Sequence, residues 1–259
     1  MQKKAIVTGG LGFIGSNLIK LLIKKRFFVI NIDKINYSSN FYNLKEIIKK
    51  NNYKFYKSDI CNKKMLNMIL NKHKPNILFN LAAETHVDRS INNSTNFVRS
   101  NIIGVHSILE CIKKYTKNKK NFRMIHVSTD EVYGDIKGLK KSKEGDKYQP
   151  SSPYSASKAS ADHLINSYVR TYKLPIVISN CCNNFGPNQL PEKFIPKTIF
   201  NIIMKKTIPI YGKGKNQREW IHVEDHCRAL IELFKKGKIG ESYNIGTGFI
   251  INNLKLAQK

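Results

Sequence analysis

The run Lys4 to Gly15, K-A-I-V-T-G-G-L-G-F-I-G, constrains the fold of this 259-residue chain more than any other stretch. Lys4 to Thr8 is short and apolar and reads as a buried strand. Phe13 to about Lys25 reads as a helix. The glycines between fit G-x-x-G-x-x-G from Gly9 and G-x-G-x-x-G from Gly10. Glycine permits a tight turn and close backbone approach to a diphosphate, which a helix N-terminus then stabilises.

The glycine motif is weak alone and gains weight from its context. A second strand, Phe27 to Ile32, ends at Asp33. An acid there binds the ribose hydroxyls of NAD and repels the 2′-phosphate of NADP. The alternative is a glycine turn beside a capping Asp. Tyr53 to Tyr56 reads as a third strand, followed by Ser58-Asp59-Ile60, and Met65 to His73 as a helix. Ile77 to Leu81 is a fourth strand ending in Ala82-Ala83, small residues that let a cofactor come close. Asn92 to Tyr115 reads largely as one helix. Met124 to Val127 and Pro175 to Asn180 are the fifth and sixth strands. This alternation implies right-handed crossovers and an α/β fold, a Rossmann-type doubly wound parallel sheet. Past Asn180 the alternation fades. The expected division is a cofactor-binding domain over residues 1–180 and a small substrate lobe over 181–259, interleaved with the last sheet elements.

Two stretches carry candidate chemistry. The strand Met124 to Val127 opens into Ser128-Thr129-Asp130-Glu131. Ligands in open α/β sheets sit beyond the carboxyl ends of strands, so these residues fall where a site would be. Alternatively, Asp130 and Glu131 only cap the next helix. Ser151-Ser152-Pro153 signals a helix start, which puts Tyr154 and Lys158 on one face at i and i+4. The ammonium is expected to lower the phenol's pKa. The lysine-rich segment from Asp135 to Pro153 reads as a surface loop, a candidate lid.

The net charge of +27 raises the question of nucleic acid. The 38 lysines outnumber 7 arginines and are spread along the chain, with no nucleic-acid motif, so no nucleic-acid partner is expected. Five cysteines without C-x-x-C suggest reduced thiols in the cytoplasm. No apolar run approaches transmembrane length and no signal peptide precedes the first strand, so no membrane partner is expected. His222 and His226 have metal-like spacing, but H-V-E-D-H is not H-E-x-x-H, and no metal is expected.

Longer motifs carry a resemblance. T-G-G-L-G-F-I-G-S from Thr8, L-A-A-E-T-H-V-D-R-S from Leu81, S-T-D-E-V-Y-G-D from Ser128 and S-S-P-Y-S-A-S-K-A-S from Ser151 resemble the extended short-chain dehydrogenase/reductases. N-C-C-N-N-F-G-P from Asn180, P-E-K-F-I-P from Pro191 and E-D-H-C-R-A-L from Glu224 add to it. Within that family, Thr129-Asp130-Glu131 resembles the dTDP-glucose 4,6-dehydratases. Related epimerases resemble S-S-x-x-V-Y-G at this stretch, and decarboxylases and GDP-mannose dehydratases resemble T-S-E.

The resemblance implies NAD as a tightly held cofactor and a nucleotide-sugar substrate. It implies a homodimer through a four-helix bundle. It assigns catalysis to Thr129, Asp130, Glu131, Tyr154 and Lys158. Cofactor contacts are implied at Gly9, Gly12, Phe13, Ile14, Gly15, Asp33, Asp59, Ile60, Ala82, Ala83, Asn101, Tyr154, Lys158 and Asn184. Substrate contacts are implied at Thr85, Thr129, Asn183, Lys193, Phe194, Pro209, Tyr211, Arg218 and Asn253. Family members continue past the point where this chain stops, so a C-terminally truncated substrate lobe is expected. Other readings are a UDP-sugar dehydratase, epimerase or decarboxylase, and a non-catalytic NAD-binding scaffold.

Overall fold

The computed structural model describes residues 2–117, 121–135, 141–210, 212 and 214–259. Strand β1 (Lys4–Thr8) leads through the glycine turn into helix α1 (Phe13–Lys24) and β2 (Phe28–Asp33). Next come β3 (Tyr53–Lys57), α2 (Lys63–His73), β4 (Ile77–Asn80) and α3 (Val87–Asn92). After α4 (Thr95–Phe97) and α5 (Gly104–Thr116), β5 (Arg123–Thr129), α6 (Pro153–Tyr172) and β6 (Ile176–Cys181) complete the core alternation. The remaining elements are β7 (Asn183–Phe185), α7 (Phe194–Ile203), β8 (Gln217–His222), α8 (Val223–Lys236), β9 (Ser242–Ile245), β10 (Ile250–Asn252) and α9 (Asn253–Gln258).

Among the described residues seven strands form one sheet in the order β3-β2-β1-β4-β5-β6-β9. Every neighbouring pair in it is parallel. Its central strands are continuous apolar runs because helices cover both faces. Alternate residues serve different faces: Val7, Val29 and Phe79 join one core with Leu18 and Leu22 of α1 and Leu230 of α8. Ile6, Ile30 and Leu78 join the other with Ile69 of α2, Ile108 of α5 and Ile165 of α6. This period of two is what a strand covered on both sides requires. The strand order reverses between β1 and β4, which opens a crevice at their carboxyl ends.

The chain leaves this sheet after β6 for a three-stranded sheet, β10-β8-β7, and returns to pair β9 with β6. The expected helix over Asn92 to Tyr115 differs in detail. It breaks at Asn93, whose Oδ1 accepts from Thr95 N at 3.0 Å, and restarts at Thr95. It then widens into a π-helical turn, Val98–Ile103, before α5. Such turns re-aim side chains and often sit at functional sites. The start of α6 matches expectation. Pro153 takes the first turn and Ser152 with Ser155 forms a reciprocal cap, with Ser155 N donating to Ser152 Oγ at 3.1 Å.

From the loop expected between Asp135 and Pro153, residues 136–140 lie outside the described residues. The described remainder is tied down, with Gln149 N donating to the Val132 carbonyl at 2.9 Å and Asn244 N to Glu144 Oε1 at 3.0 Å. Among the described residues, no helix is long and apolar enough to cross a membrane.

Candidate active site

A cleft of about 680 Å³ opens along the carboxyl ends of the central strands. One end is built by the glycine turn. Gly9 has φ +69°, and a Cβ there would stand 2.9 Å from Ala82 Cα. A Cβ on Gly15 would collide with the Gly9 carbonyl. Glycine is therefore required at both positions, once for backbone conformation and close approach and once for seating α1 on the turn. Gly12, Phe13 and Ile14 line the cleft here. Among the described residues no side chain caps α1, and no acid occupies its first turn, so its N-terminus suits an anion.

Asp33 stands at the end of β2 and is engaged throughout. Oδ2 accepts from Leu11 N at 3.0 Å, and Oδ1 accepts from Ile35 N at 2.9 Å and Ser39 Oγ at 2.8 Å. It thereby fixes the glycine turn while lining the cleft with Asp59 and Ile60. Ala82 and Ala83 form part of the wall. Thr8 Oγ1 holds them by accepting from Leu81 N and Ala82 N, each at 3.1 Å. Asn184 also lines the cleft, and its Oδ1 lies 2.8 Å from His226 Nδ1. Burial pushes His226 down to about 4, so the ring is neutral near pH 7 with its proton on Nδ1. Asn101 does not line the cleft. It is buried in the π turn, where Nδ2 donates to the Glu84 carbonyl and to Ser157 Oγ.

Thr129 closes β5 and lines the cleft. Its Oγ1 accepts from Glu131 N at 3.3 Å, so the threonine is the cap. The two acids form the first turn of a short 3-10 helix, Asp130–Tyr133. Thr129 Oγ1 also lies 3.3 Å from Asp130 Oδ1. Burial, reinforced by the Glu131 carboxylate, pushes Asp130 up to about 7. Glu131 lines the cleft, and Asp130 beside it in the chain does not. Burial raises Glu131 as well, against the pull of Arg218 and Lys193. Near pH 7 one acid of the pair therefore retains a proton much of the time, while cations favour ionisation of the other.

Tyr154 and Lys158 line the same cleft. The expected lowering of the phenol by Lys158 is not what the structure shows. Burial and then the charge of Glu131 push Tyr154 well up, with a hydrogen bond to Thr129 in partial opposition. Lys158 Nζ donates to the Val127 carbonyl at 2.7 Å. Burial lowers Lys158, and the carboxylate of Asp162 one turn along α6 opposes that. Asp162 was not visible as a site residue in the sequence. It is buried and accepts from Ser128 Oγ at 2.6 Å.

Of the residues expected to contact substrate, Thr85, Asn183, Lys193, Phe194, Arg218 and Asn253 line the cleft, as does Thr129. Pro209 is exposed and does not, and Tyr211 lies outside the described residues. Lys34, His86, Gln189 and Trp220 line the cleft without having been expected. Among the described residues no group of three or more His, Cys, Asp or Glu is arranged to hold a metal ion.

The family model described as GDP-mannose 4,6 dehydratase matches residues 6–259. The dTDP-glucose 4,6-dehydratase of Salmonella typhimurium is 46% identical over 94% of this chain and 72% of its own length. A probable dTDP-glucose 4,6-dehydratase of Sinorhizobium fredii is 43% identical over 99% of this chain and 75% of its own. The chain belongs to the dTDP-glucose 4,6-dehydratase family. The dTDP-glucose 4,6-dehydratase of Bacillus anthracis, solved in complex with NAD, superposes with a TM-score of 0.92 at 39% identity. That match covers 99% of this chain and 79% of the other.

Proposed function

We propose that this chain converts dTDP-glucose to dTDP-4-keto-6-deoxyglucose and water, with NAD as its resident cofactor. The observation that carries the reading is that Thr129, Glu131 and Tyr154 line one cleft, with Asp130 between Thr129 and Glu131 in the chain and pushed up to about 7. A 4,6-elimination needs an acid and a base near adjacent carbons, and this pair is poised as one of each. The names of the family relatives supply the nucleotide sugar.

The glycine turn, the uncapped N-terminus of α1 and Asp33 fit a dinucleotide, with Asp59, Ile60, Ala82 and Ala83 along its length. Bound there, NAD would supply the hydride chemistry, removal of hydride from sugar C4 and its return to C6. Tyr154 takes the proton of the C4 hydroxyl, and Thr129 hydrogen-bonds that oxygen. The C4 ketone acidifies the C5 hydrogen, which Glu131 removes as base. Asp130 gives its proton to the departing C6 hydroxyl, which leaves as water. A proton then returns to C5. Arg218 suits the substrate diphosphate because its planar fork pairs two oxygens. Residues 1–180 form the cofactor unit in this reading, and 181–259 the substrate lobe. Five free cysteines suit a reducing, cytoplasmic setting.

Incubation with dTDP-, UDP- and GDP-glucose, followed by mass measurement, tests the reading. Loss of one water from the dTDP sugar in preference to the others is expected. An unchanged mass for all of them would refute it. We also propose a two-fold dimer through α5 and α6, supported by exposed Val98 and Ile103 leading into α5 and Tyr172 ending α6. Sedimentation at micromolar concentration should give twice the chain mass, and a monomer would count against it.

A further inference from the structure

Lys34 directly follows Asp33 and lines the cleft beside it. A cation at this place is what an NADP enzyme would use to receive the 2′-phosphate. Here the ammonium is already held. Lys34 Nζ donates to Glu84 Oε1 at 2.8 Å and to Ser100 Oγ at 2.9 Å. Asn36 Nδ2 donates to the same glutamate oxygen at 3.2 Å. The glutamate side chain is 11% exposed, and Lys34 is 34% exposed.

The holder is itself clamped. Glu84 N donates to Asn101 Oδ1 at 2.9 Å, and Asn101 Nδ2 donates to the Glu84 carbonyl at 3.0 Å. Asn101 and Ser100 are neighbours within the π turn Val98–Ile103. That widened turn presents one residue to the backbone of Glu84 and the next to the ammonium of Lys34. A second cation at this end, Arg99 of the same turn, lies 3.9 Å from Asp59. Lys34 and Arg99 thus each face a carboxylate of the protein.

The geometry points to Glu84 as a specificity-determining residue that withholds Lys34 from a 2′-phosphate, so that NADP is rejected by sequestration of a cation as well as by the charge of Asp33. The inference rests on the NAD reading above and extends it. Asp33 alone, with its oxygens engaged by Leu11, Ile35 and Ser39, would leave an adjacent ammonium open to compensate for it. Glu84 removes that compensation.

The test is an equilibrium titration of cofactor-stripped protein with NAD and with NADP. Wild type should bind NAD more tightly, and failure of that arm sinks the NAD reading itself rather than this inference. Glu84→Ala should raise NADP affinity relative to NAD by about tenfold or more, the effect of one added charged hydrogen bond. Glu84→Gln, which keeps the shape and an acceptor oxygen but loses the charge, should shift the ratio the same way by less. It also serves if the alanine variant does not fold. Adding Lys34→Ala to either variant should return the ratio to the wild-type value. An unchanged ratio in both single variants, or a gain that survives removal of Lys34, overturns the proposal.

Discussion

Asp130→Asn is expected to slow loss of water about 10²–10⁴-fold, the usual contribution of a positioned proton donor. The amide keeps the size of the carboxyl but has no acidic proton to give to the departing hydroxyl. Tyr154 and Lys158 are untouched, so oxidation at C4 should survive and the nicotinamide absorbance change should persist without water loss. The pH profile carries the sign. Asp130 acts protonated, a form populated below about 7. Glu131 acts ionised, a form populated above its raised pKa. Elimination by the wild type should follow a bell with its alkaline limb near pH 7, and the variant's residual rate should lack that limb. The values belong to the coupled pair rather than to either acid alone. Stability should move the opposite way. Burial raises Asp130 above the roughly 3.9 of an unfolded chain. Its contribution to stability is therefore complete below about pH 4 and is lost as pH climbs to about 7. Asn has no charge to bury, so the variant should gain roughly 1–3 kcal/mol on the wild type across that window, discounted because the acid is partly exposed. Paired thermal melts at pH 4 and 8 would read this. Full-rate dehydration by the variant would reduce Asp130 to a structural residue.

Much of this was legible because it is local. The glycine turn declares itself through spacing, Asp33 through its place at the end of a strand, and Tyr154 and Lys158 through helical period. The cap of α6 was written in Ser152-Pro153. The features that sequence reasoning missed depend on contacts between distant segments. The phenol of Tyr154 was expected to be lowered by Lys158, because the two share a helix face. Burial outweighs that proximity, and Lys158 is spent on the Val127 carbonyl 31 residues away. Glu84 gave a signal only in hindsight, since its role needs Lys34 50 residues earlier and Ser100 in a turn that no hydrophobic pattern announces. Asn101, expected at the cofactor, also secures the loop that carries Glu84, a pairing between segments that no local pattern announces. The acid pair shows both outcomes together: Thr129 is the cap, and the acids remain in the first turn with their protons held up by burial.

Tyr154→Phe should suppress the reaction one step earlier. The ring can stay where it is, edge-on to Phe97 with centroids 6.4 Å apart, so the fold should be kept. What is lost is the only phenol that lines the cleft among the described residues. Removing the base for the C4 hydroxyl should slow oxidation about 10²–10⁴-fold. Nicotinamide reduction, exchange of the C5 hydrogen and water loss should then disappear together, whereas Asp130→Asn keeps the first of them. Glu131→Gln supplies the check on cause. Burial and then the Glu131 charge hold the phenol up. Neutralising Glu131 should therefore lower the phenol's pKa and populate its basic form at lower pH. The onset of C4 oxidation should move to lower pH in Glu131→Gln even as elimination fails for want of its base. Single-turnover nicotinamide absorbance across a pH series separates the two. An onset that stays in place or moves upward would mean that Glu131 does not act on Tyr154, and C4 oxidation at full rate in Tyr154→Phe would remove the tyrosine from the chemistry altogether.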